Sequence, residues 1–301
     1  MGSNIASIAK IAVIGAGVMG RGIAHVAALA GYETRLQDIS EQVLEDALKV
    51  IGKNMAKGVE LGKLSDKEKE EALARISRHT ELAEAVKDVD LVIEAVPEIM
   101  ELKHNIFAQL DRLTPPHAIL ATNTSTMSPT EIASATKRPE QVIAMHFFNP
   151  VHKMKLLEII KGLDTGEATV QTAVEVGKKM GKETVVINEF PGFITSRISS
   201  LVGNEAFYML QEGIASPEEI DKAVKLGLNY PMGPLELGDL VGLDVRLRNL
   251  EYLHATLGEK FRPCPLLVKY VKAGRLGRKT GKGVYVYDSY GGEPPVQLDN
   301  I

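Results

Sequence analysis

The stretch 10-KIAVIGAGVMGRGIAHVAALAGYETRLQD-38 decides the fold, because it reads as a strand, a glycine-rich turn, a helix and a second strand. Lys10–Ile14 is a short apolar segment typical of a buried strand, and Glu33–Gln37 is the second strand. The helical pattern of residues 21–31 lies between them and ends at Gly31. The stretch therefore predicts a complete β-α-β unit.

The turn 15-GAGVMG-20 has the glycine spacing of a dinucleotide-binding loop, although such spacing alone also fits a turn without a ligand. Its position after a strand and before a helix favours the dinucleotide. The glycines would permit a tight turn, close approach of a pyrophosphate and packing of helix on strand, and the helix N-terminus would face the phosphates. The expected cofactor contacts are Gly15, Gly17, Val18, Met19, Gly20 and Asp38.

Asp38 bears on which nicotinamide dinucleotide would bind. A carboxylate at the end of the second strand accepts hydrogen bonds from the adenosine ribose hydroxyls and repels a 2′-phosphate. The following Ile39-Ser40 offers no arginine to a phosphate, but Arg35 is near in sequence and leaves NADP open. The pattern favours NAD.

Further apolar segments predict that the sheet continues. Strands are expected at Leu91–Ala95, Ala118–Ala121 and Val142–His146, with helical segments between them, as in a mostly parallel, doubly wound Rossmann-type α/β sheet. The stretch Ser40–His79 is too long for a plain crossover. It predicts two charged helices that project from the sheet as an arm.

Beyond residue 188 the pattern is helical only. We expect two domains, residues 1–188 with the sheet and residues 189–301 all-helical, because a single core stops growing near about 250–300 residues. Residues from Ser289 onward read as a loose tail. The predicted helices are Phe193–Gln211, one that starts at Ser216, Pro234–Leu257 and one around Leu266–Ala273.

Composition excludes several classes of function. Apolar residues make up 45% of the 301, yet no apolar run reaches the roughly 20 residues that span a bilayer. A net charge of −4 without a basic block disfavours nucleic acid. Cys264 is the only cysteine, so we expect neither a disulfide nor a metal site. The N-terminal ten residues resemble neither a secretion signal nor a transit peptide, which predicts a cytoplasmic protein.

Polar residues follow the later strands, at the edge where doubly wound sheets bind ligands. Glu98 follows the strand Leu91–Ala95, Ser125 follows Ala118–Ala121, and His146 ends the next strand. We expect their loops to meet at one crevice. For Ser125, a turn that leads into the helix after Ser128 explains the sequence as well as a ligand-facing hydroxyl does.

His146 and Glu158 can form a catalytic pair if the segment Lys155–Ile160 returns antiparallel after Asn149-Pro150. A carboxylate on one ring nitrogen fixes the imidazole tautomer and stabilises the imidazolium. The other nitrogen then takes the proton of an alcohol whose carbon gives a hydride to NAD. Plainer alternatives are a core histidine and an exposed carboxylate that pairs with a neighbouring lysine.

Six motifs taken together resemble the L-3-hydroxyacyl-CoA dehydrogenase family, most closely its stand-alone bacterial 3-hydroxybutyryl-CoA dehydrogenases. HFFNP and YPMGP are far more specific than the glycine motif. The motifs run in the family's order from about Lys10 to Asp288, and they are GAGVMG, NTS, HFFNP with MKLLE, PGFITSR, YPMGPLELGD and LGRKTGKGVY.

The resemblance implies reversible, NAD-dependent oxidation of the 3-hydroxyl of an L-3-hydroxyacyl-CoA, in fatty-acid β-oxidation or in butanoate metabolism. It implies that His146 is the catalytic base and Glu158 its partner. Ser125 is expected to contact both substrate and cofactor, and Asn149 to lie near the nicotinamide. The helical domain is expected to bind substrate and to form a homodimer.

The resemblance also carries over weaker assignments. It implies NAD contacts for Glu98, Lys103 and Lys279, and CoA contacts on the arm for Asn54 and Lys57. One departure matters, because Ser196 stands where relatives usually have an asparagine that positions the substrate. Either a water fills the gap or the acyl preference differs.

Two other functions stay open. The same chemistry on a small polyol acid is found in lens crystallins related to L-gulonate dehydrogenases, and binding of CoA to the arm would exclude it. A non-catalytic NAD-binding protein would bind the cofactor without turnover of any hydroxy acid. We also expect that no hydratase is fused to the chain and that acyl-CoA is its partner.

Overall fold

A computed structural model describes residues 8–287. The chain divides into two compact units, Met1–Phe190 and Pro191–Ile301, two residues beyond the predicted boundary at residue 188. The tail predicted from Ser289 lies outside the described residues.

The first unit contains an eight-stranded sheet in the order β3-β2-β1-β4-β5-β6-β7-β8. All neighbouring strands are parallel except β6 and β7. The Rossmann-type, mostly parallel sheet is therefore confirmed. The strands are β1 Lys10–Ile14, β2 Glu33–Gln37, β3 Ile76–His79, β4 Leu91–Glu94, β5 Ile119–Thr122, β6 Val142–Phe147, β7 Leu156–Lys161 and β8 Glu183–Asn188.

Helices cover both faces of this sheet. Successive residues of a strand point to opposite faces, so Ile11 and Val13 of β1 enter one core, whereas Ala12 and Ile14 enter the other. The helices of the unit are α1 Val18–Leu29, α2 Glu41–Glu60, α3 Asp66–Ala74, α4 Leu82–Val86, α5 Met100–Leu113, α6 Pro129–Ala133 and α7 Glu167–Lys179, and a short 3-10 helix covers Pro139–Gln141.

The predicted arm differs from expectation in its last four residues. Its two helices are present as α2 and α3, but Ile76–His79 is a strand that pairs with β2. The sequence ISRH contains one apolar residue, so its pattern gives no strand signal. One face of the arm packs on the body of the unit, because α2 buries Leu44, Ala47, Ile51 and Met55 in the core that contains α1.

The second unit is helical, as predicted, with two changes of boundary. The predicted helix Pro234–Leu257 is two helices, because Gly242 between them has φ 106°. The first helix begins at Thr195, since Phe193 has φ 50°. The helices are α8 Thr195–Gln211, α9 Pro217–Gly227, α10 Pro234–Val241, α11 Leu243–Leu257 and α12 Pro265–Lys272, with 3-10 turns at Glu259–Phe261 and Arg278–Thr280.

Two buried carboxylates hold this helical unit together. Asp239 accepts hydrogen bonds from the backbone N–H groups of Val284 and Tyr285 and from the Tyr287 hydroxyl, at 2.9 to 3.0 Å. Asp221 accepts from Leu235 N, Glu236 N and the Tyr285 hydroxyl, each at 2.8 Å. The motifs YPMGPLELGD and LGRKTGKGVY therefore contain residues that build the unit's own framework.

In the turn between β1 and α1, Gly20 is packed closely against the backbone, whereas Gly17 has open space beside it. Gly15 has φ 94°, which favours glycine. A Cβ on Gly20 would lie 1.7 Å from the Gly15 carbonyl oxygen, whereas a Cβ on Gly17 would meet no atom within 4 Å. Gly20 therefore permits the helix to pack on the strand.

We predict that Gly20→Ala lowers the free energy of unfolding by about 3 kcal/mol or more, because the backbone must shift to admit the methyl group. Gly17→Ala is the matched control and should cost no more than about 1 kcal/mol. Urea unfolding followed by circular dichroism measures both. Equal stability of the two variants would contradict the packing argument.

Candidate active site

The start of α1 presents open space beside the glycine turn. Gly17 is its N-cap, Val18 is exposed, and Met19 is half-buried. A helix N-terminus has unpaired N–H groups and a partial positive charge that favour a phosphate. The site thus fits the pyrophosphate of a dinucleotide.

Asp38 is fixed against this turn. Its Oδ2 accepts a hydrogen bond from Ala16 N at 2.9 Å, and its Oδ1 accepts from Ser40 N at 3.2 Å. Arg35, which left NADP open, forms ion pairs with Asp88 and Glu33. Its guanidinium is therefore engaged by carboxylates, and Asp38 favours the 2′-hydroxyl of NAD.

A buried ion pair lies below the crevice. Lys103 of α5 has no exposed surface, and its Nζ donates to both carboxylate oxygens of Glu94, at 2.8 and 2.9 Å. The Thr122 hydroxyl donates to the same carboxylate at 2.6 Å. Lys103 therefore lies beneath the crevice and is bound to Glu94, and its implied contact with NAD stays a prediction. Glu94 was missed, although an acid that ends the apolar strand LVIE was a usable signal.

Glu98 holds the loop that carries Ser125. Its Oε1 accepts from Ser125 N at 2.7 Å and from the Ser125 hydroxyl at 3.3 Å, and Thr124 donates to it at 2.9 Å. Lys103 Nζ lies 3.6 Å from Glu98, which links the loop to the buried pair. Ser128 caps α6 through Glu131 N, so the turn explains Ser128, while Ser125 is held at the crevice.

His146 and Glu158 face each other on β6 and β7. The antiparallel register pairs them directly, and His146 Nδ1 lies 2.8 Å from Glu158 Oε2. The imidazole is 7% exposed and the carboxylate 1%. The predicted antiparallel return and the contact of carboxylate with imidazole are confirmed, whereas their chemical roles stay predictions.

Aromatic and amide groups surround this pair. The Phe148 ring lies 4.4 Å from the imidazole, centroid to centroid, and Phe147 is buried. Phe147 N donates to Asn123 Oδ1 at 3.0 Å, so the loops after β5 and β6 are joined. Asn149 is exposed in the turn that follows, before a cis peptide bond to Pro150. From the sequence, no role was assigned to Asn123, although it belongs to the NTS motif together with Ser125.

The turn between β6 and β7 is held by contacts with α1 and with Lys182. His152 stacks on His25 of α1, with ring centroids 5.3 Å apart and an interplanar angle of 4°. Lys182 donates to the carbonyls of Val151 and Met154. Gly22 allows α1 to lie against Val151, since a Cβ there would be 2.8 Å from it. The cofactor helix and the turn with Asn149 are thus packed together.

The remaining predicted site residues lie on helices. Asn54 is half-buried on α2, and the exposed Lys57 pairs with Glu60 at 2.8 Å. In the helical unit, Ser196 is half-buried in the first turn of α8. Lys279 of that unit lies 2.5 Å from Asp244.

These features define a class before any comparison. A phosphate-binding turn and a buried histidine–carboxylate pair belong to one sheet, and the adjacent parallel strands β1, β4, β5 and β6 end at the same edge. Such an arrangement is that of a nicotinamide-dependent oxidoreductase acting on CH–OH.

Comparison with known proteins gives the family. Residues 10–190 match the family model "3-hydroxyacyl-CoA dehydrogenase, NAD binding domain", and residues 192–287 match "3-hydroxyacyl-CoA dehydrogenase, C-terminal domain". The chain belongs to the 3-hydroxyacyl-CoA dehydrogenase family, and it is an NAD-dependent oxidoreductase.

Similar proteins cover almost the whole chain. It is 50% identical over 282 residues to a probable 3-hydroxybutyryl-CoA dehydrogenase of Bacillus subtilis, covering 93% of this chain and 98% of that protein. Identity to the 3-hydroxybutyryl-CoA dehydrogenase of Bradyrhizobium diazoefficiens is 48%, covering 94% and 96%. The crystal structure of (S)-3-hydroxybutyryl-CoA dehydrogenase from Ralstonia eutropha superimposes with a TM-score of 0.90 at 41% identity, covering 94% and 100%.

Two kinds of feature are absent from residues 8–287. No helix in that range is both long and apolar enough to cross a bilayer. The same residues contain no group of three or more His, Cys, Asp or Glu side chains that could hold a metal ion.

The burial of His25 beside His152 makes the stability of the folded protein depend on pH. Burial, followed by the nearby His152 and Lys182, lowers the pKa of His25 to about 4. The unfolded chain takes up this proton below about pH 6.5, whereas the folded chain does so only near pH 4. Stability is therefore lost as the pH falls through that window, on the order of 3 kcal/mol.

We predict that His25→Gln flattens this dependence, measured as the free energy of urea unfolding between pH 7 and pH 4. The exposed His117, paired with Asp90, supplies the control His117→Gln. If both variants keep the slope of the unmodified protein, His25 does not carry the effect.

Proposed function

We propose that this protein oxidises the 3-hydroxyl of a short-chain L-3-hydroxyacyl-CoA, such as 3-hydroxybutyryl-CoA, to the 3-ketoacyl-CoA, reversibly and with NAD. The names of the similar proteins support this choice of substrate. The observation that carries the chemistry is the buried contact of 2.8 Å between His146 and Glu158.

His146 is proposed as the general base. Glu158 engages Nδ1, so the hydroxyl proton is taken at Nε2 while the carboxylate stabilises the imidazolium that forms. NAD, when bound, accepts the hydride from C3. In the reverse direction the same imidazolium returns the proton to the 3-keto oxygen. The low exposure of both side chains strengthens their interaction, since water screens it little.

Ser125 and Asn149 are proposed to orient the reactants at the crevice. Glu98 fixes the backbone and hydroxyl of Ser125, and this pre-organisation keeps the Ser125 hydroxyl at the place where the substrate oxygen would lie. Asn149 follows β6 and can donate an amide N–H near the nicotinamide. Glu98 and Lys279 are proposed cofactor contacts, and Lys103 acts through Glu94 and Glu98.

The CoA part is proposed to meet α2. Asn54 and Lys57 are three residues apart, so they lie on one side of the helix. The exposed Lys57–Glu60 pair is worth little in water, and a phosphate can replace the glutamate. Ser196 is proposed as a substrate contact on the helical unit, with a shorter reach than an asparagine.

The helical unit is proposed to form a homodimer. Its surface carries large apolar side chains, which monomers rarely leave uncovered as a contiguous patch. The exposed ones include Ile214, Leu226, Leu228, Leu240 and Val241.

The activity is tested by NADH absorbance at 340 nm with NAD and L-3-hydroxybutyryl-CoA. We expect turnover of the L isomer, none of the D isomer, and a preference for NAD over NADP. A series of acyl chains from C4 to C16 then gives the length preference. No absorbance change with any L-3-hydroxyacyl-CoA, together with oxidation of a free polyol acid such as L-gulonate, would reject the acyl-CoA assignment.

We predict that His146→Gln lowers kcat about 10³-fold, because a positioned acid or base contributes about 10² to 10⁴. Glu158→Gln should lower it less, since the amide still accepts a hydrogen bond but carries no charge. The exposed His117→Gln serves as the control and should keep full rate. Circular dichroism is the check that each variant is folded. Turnover unchanged in a folded His146→Gln protein would dismiss the base.

A further inference from the structure

Asn123 follows β5 directly and is bonded to both of the strands beside it. Its backbone N–H donates to the carbonyl of Glu94, the last residue of β4, at 2.7 Å. Its side-chain Oδ1 accepts from the backbone N–H of Phe147, the last residue of β6, at 3.0 Å. Since β4, β5 and β6 are neighbours in the sheet, this one residue joins the carboxyl ends of three adjacent strands.

The side-chain contact of Asn123 lies beyond the last paired residues of β5 and β6. Those residues are Thr122 and Ala144, so the pairing of the two strands ends before the polar loop begins. Phe147 is 2% exposed, and a buried N–H without an acceptor is costly. The amide oxygen of Asn123 supplies that acceptor, and it thereby fixes the start of the loop 123–127 against the end of β6.

The two segments that Asn123 joins carry Ser125 and His146. Ser125 lies two residues beyond Asn123 in the polar loop, and His146 directly precedes Phe147 in β6. His146 is also held from the other side, because the antiparallel register pairs it with Glu158 of β7. The pairing of β6 with β7 therefore places His146 independently of Asn123, whereas Asn123 ties the start of the Ser125 loop to β6.

We propose that Asn123 is a positioning residue that sets the Ser125 hydroxyl relative to the His146 imidazole, so that both meet the same substrate oxygen. This inference rests on the proposed function, in which His146 takes the proton of that oxygen and Ser125 orients it. Two groups that act on one atom must be aligned closely, since a misplacement of about 1 Å can cost about 10²-fold in rate. Asn123 acts through the Ser125 loop and not on the reacting atoms.

The first test measures NAD-dependent oxidation of L-3-hydroxybutyryl-CoA. Asn123→Ala removes the acceptor, so kcat should fall about 10- to 100-fold. The Kd of NADH should change less than about 3-fold, because the glycine turn lies two strands away. Asn123→Asp keeps an oxygen acceptor and should recover most of the rate. Asn105→Ala, at an exposed position of α5, is the control and should keep full rate. Unchanged kcat in Asn123→Ala, or an equal loss in Asn123→Asp, overturns the proposal.

A double-mutant cycle separates positioning from general damage to the fold. If Asn123 acts through Ser125, Asn123→Ala added to Ser125→Ala should change kcat by less than about 3-fold. If the two losses multiply instead, Asn123 supports the fold alone and the proposal fails. Should Asn123→Ala not fold, Asn123→Gln replaces it, because the longer side chain moves the acceptor by one carbon and displaces the loop. Full turnover of Asn123→Gln contradicts the proposal.

Hydrogen exchange, followed by mass spectrometry, tests the same contact without turnover. Relative to Asn105→Ala, Asn123→Ala should speed exchange in residues 123–127 and 146–151 together and leave the turn 15–20 unchanged. Faster exchange in the loop alone, or no change in either segment, contradicts the coupling of the loop to β6. If the unmodified protein turns over no L-3-hydroxyacyl-CoA, the proposed function fails, while the exchange experiment still decides whether Asn123 fixes the loop.

Discussion

One reversal of strand direction sets the geometry on which the crevice depends. Six of the eight strands, β1 to β6, run in one direction, whereas β7 returns antiparallel to β6 and β8 runs parallel to β7. In an antiparallel pair, opposite residues have Cβ atoms about 4.5–5.5 Å apart, so Glu158 meets His146 without any loop having to carry it there. The turn that makes the reversal also holds Asn149 and is packed on α1 through His25 and His152. A shift of register by one residue would place Glu158 on the other face of the sheet.

The second constraint is the charge buried under the crevice. Glu94 and Lys103 are both fully buried, and removal of one partner would leave the other charge unpaired in the interior. Their bonds are complete: the ammonium binds two carboxylate oxygens, and Val96 N and the Thr122 hydroxyl also donate to Glu94. Because Lys103 also lies 3.6 Å from Glu98, which binds Ser125, the buried pair connects the ends of β4 and β5 to the polar loop that follows β5. The hydrogen-bond network thus fixes the position of the Ser125 hydroxyl.

Features encoded by residues close together in the sequence were predictable, whereas features that join distant residues were not. The bounds of β1 and β2 were predicted correctly because their pattern and the glycine turn are local. The contact of His146 with Glu158 was predictable because Asn149-Pro150 indicates a turn after the strand that ends at His146, and Glu158 lies in the next predicted strand. The edge strand β3 was missed because only one of its four residues is apolar. The break between α10 and α11 was missed because a single glycine in a sequence does not by itself predict the positive φ angle that Gly242 adopts. The burial of Lys103 and the stack of His25 on His152 join residues far apart in the chain, which no local pattern encodes.

The motifs that were most diagnostic of the family are largely parts of the framework. Asp239 lies in YPMGPLELGD, and it binds backbone groups of LGRKTGKGVY, so the two motifs must be present together for the helical unit to close on itself. The glycines support the same reading, because a Cβ on Gly283 would lie 2.0 Å from the Asp239 carboxylate. Asp239 is explained by folding alone, because backbone N–H groups and the Tyr287 hydroxyl supply its hydrogen bonds within the unit. Arg246 differs from the two aspartates, because its Nη1 donates to the carbonyl and hydroxyl of Ser199 while its buried Nε has no hydrogen-bond partner, so its burial is only partly offset by hydrogen bonds.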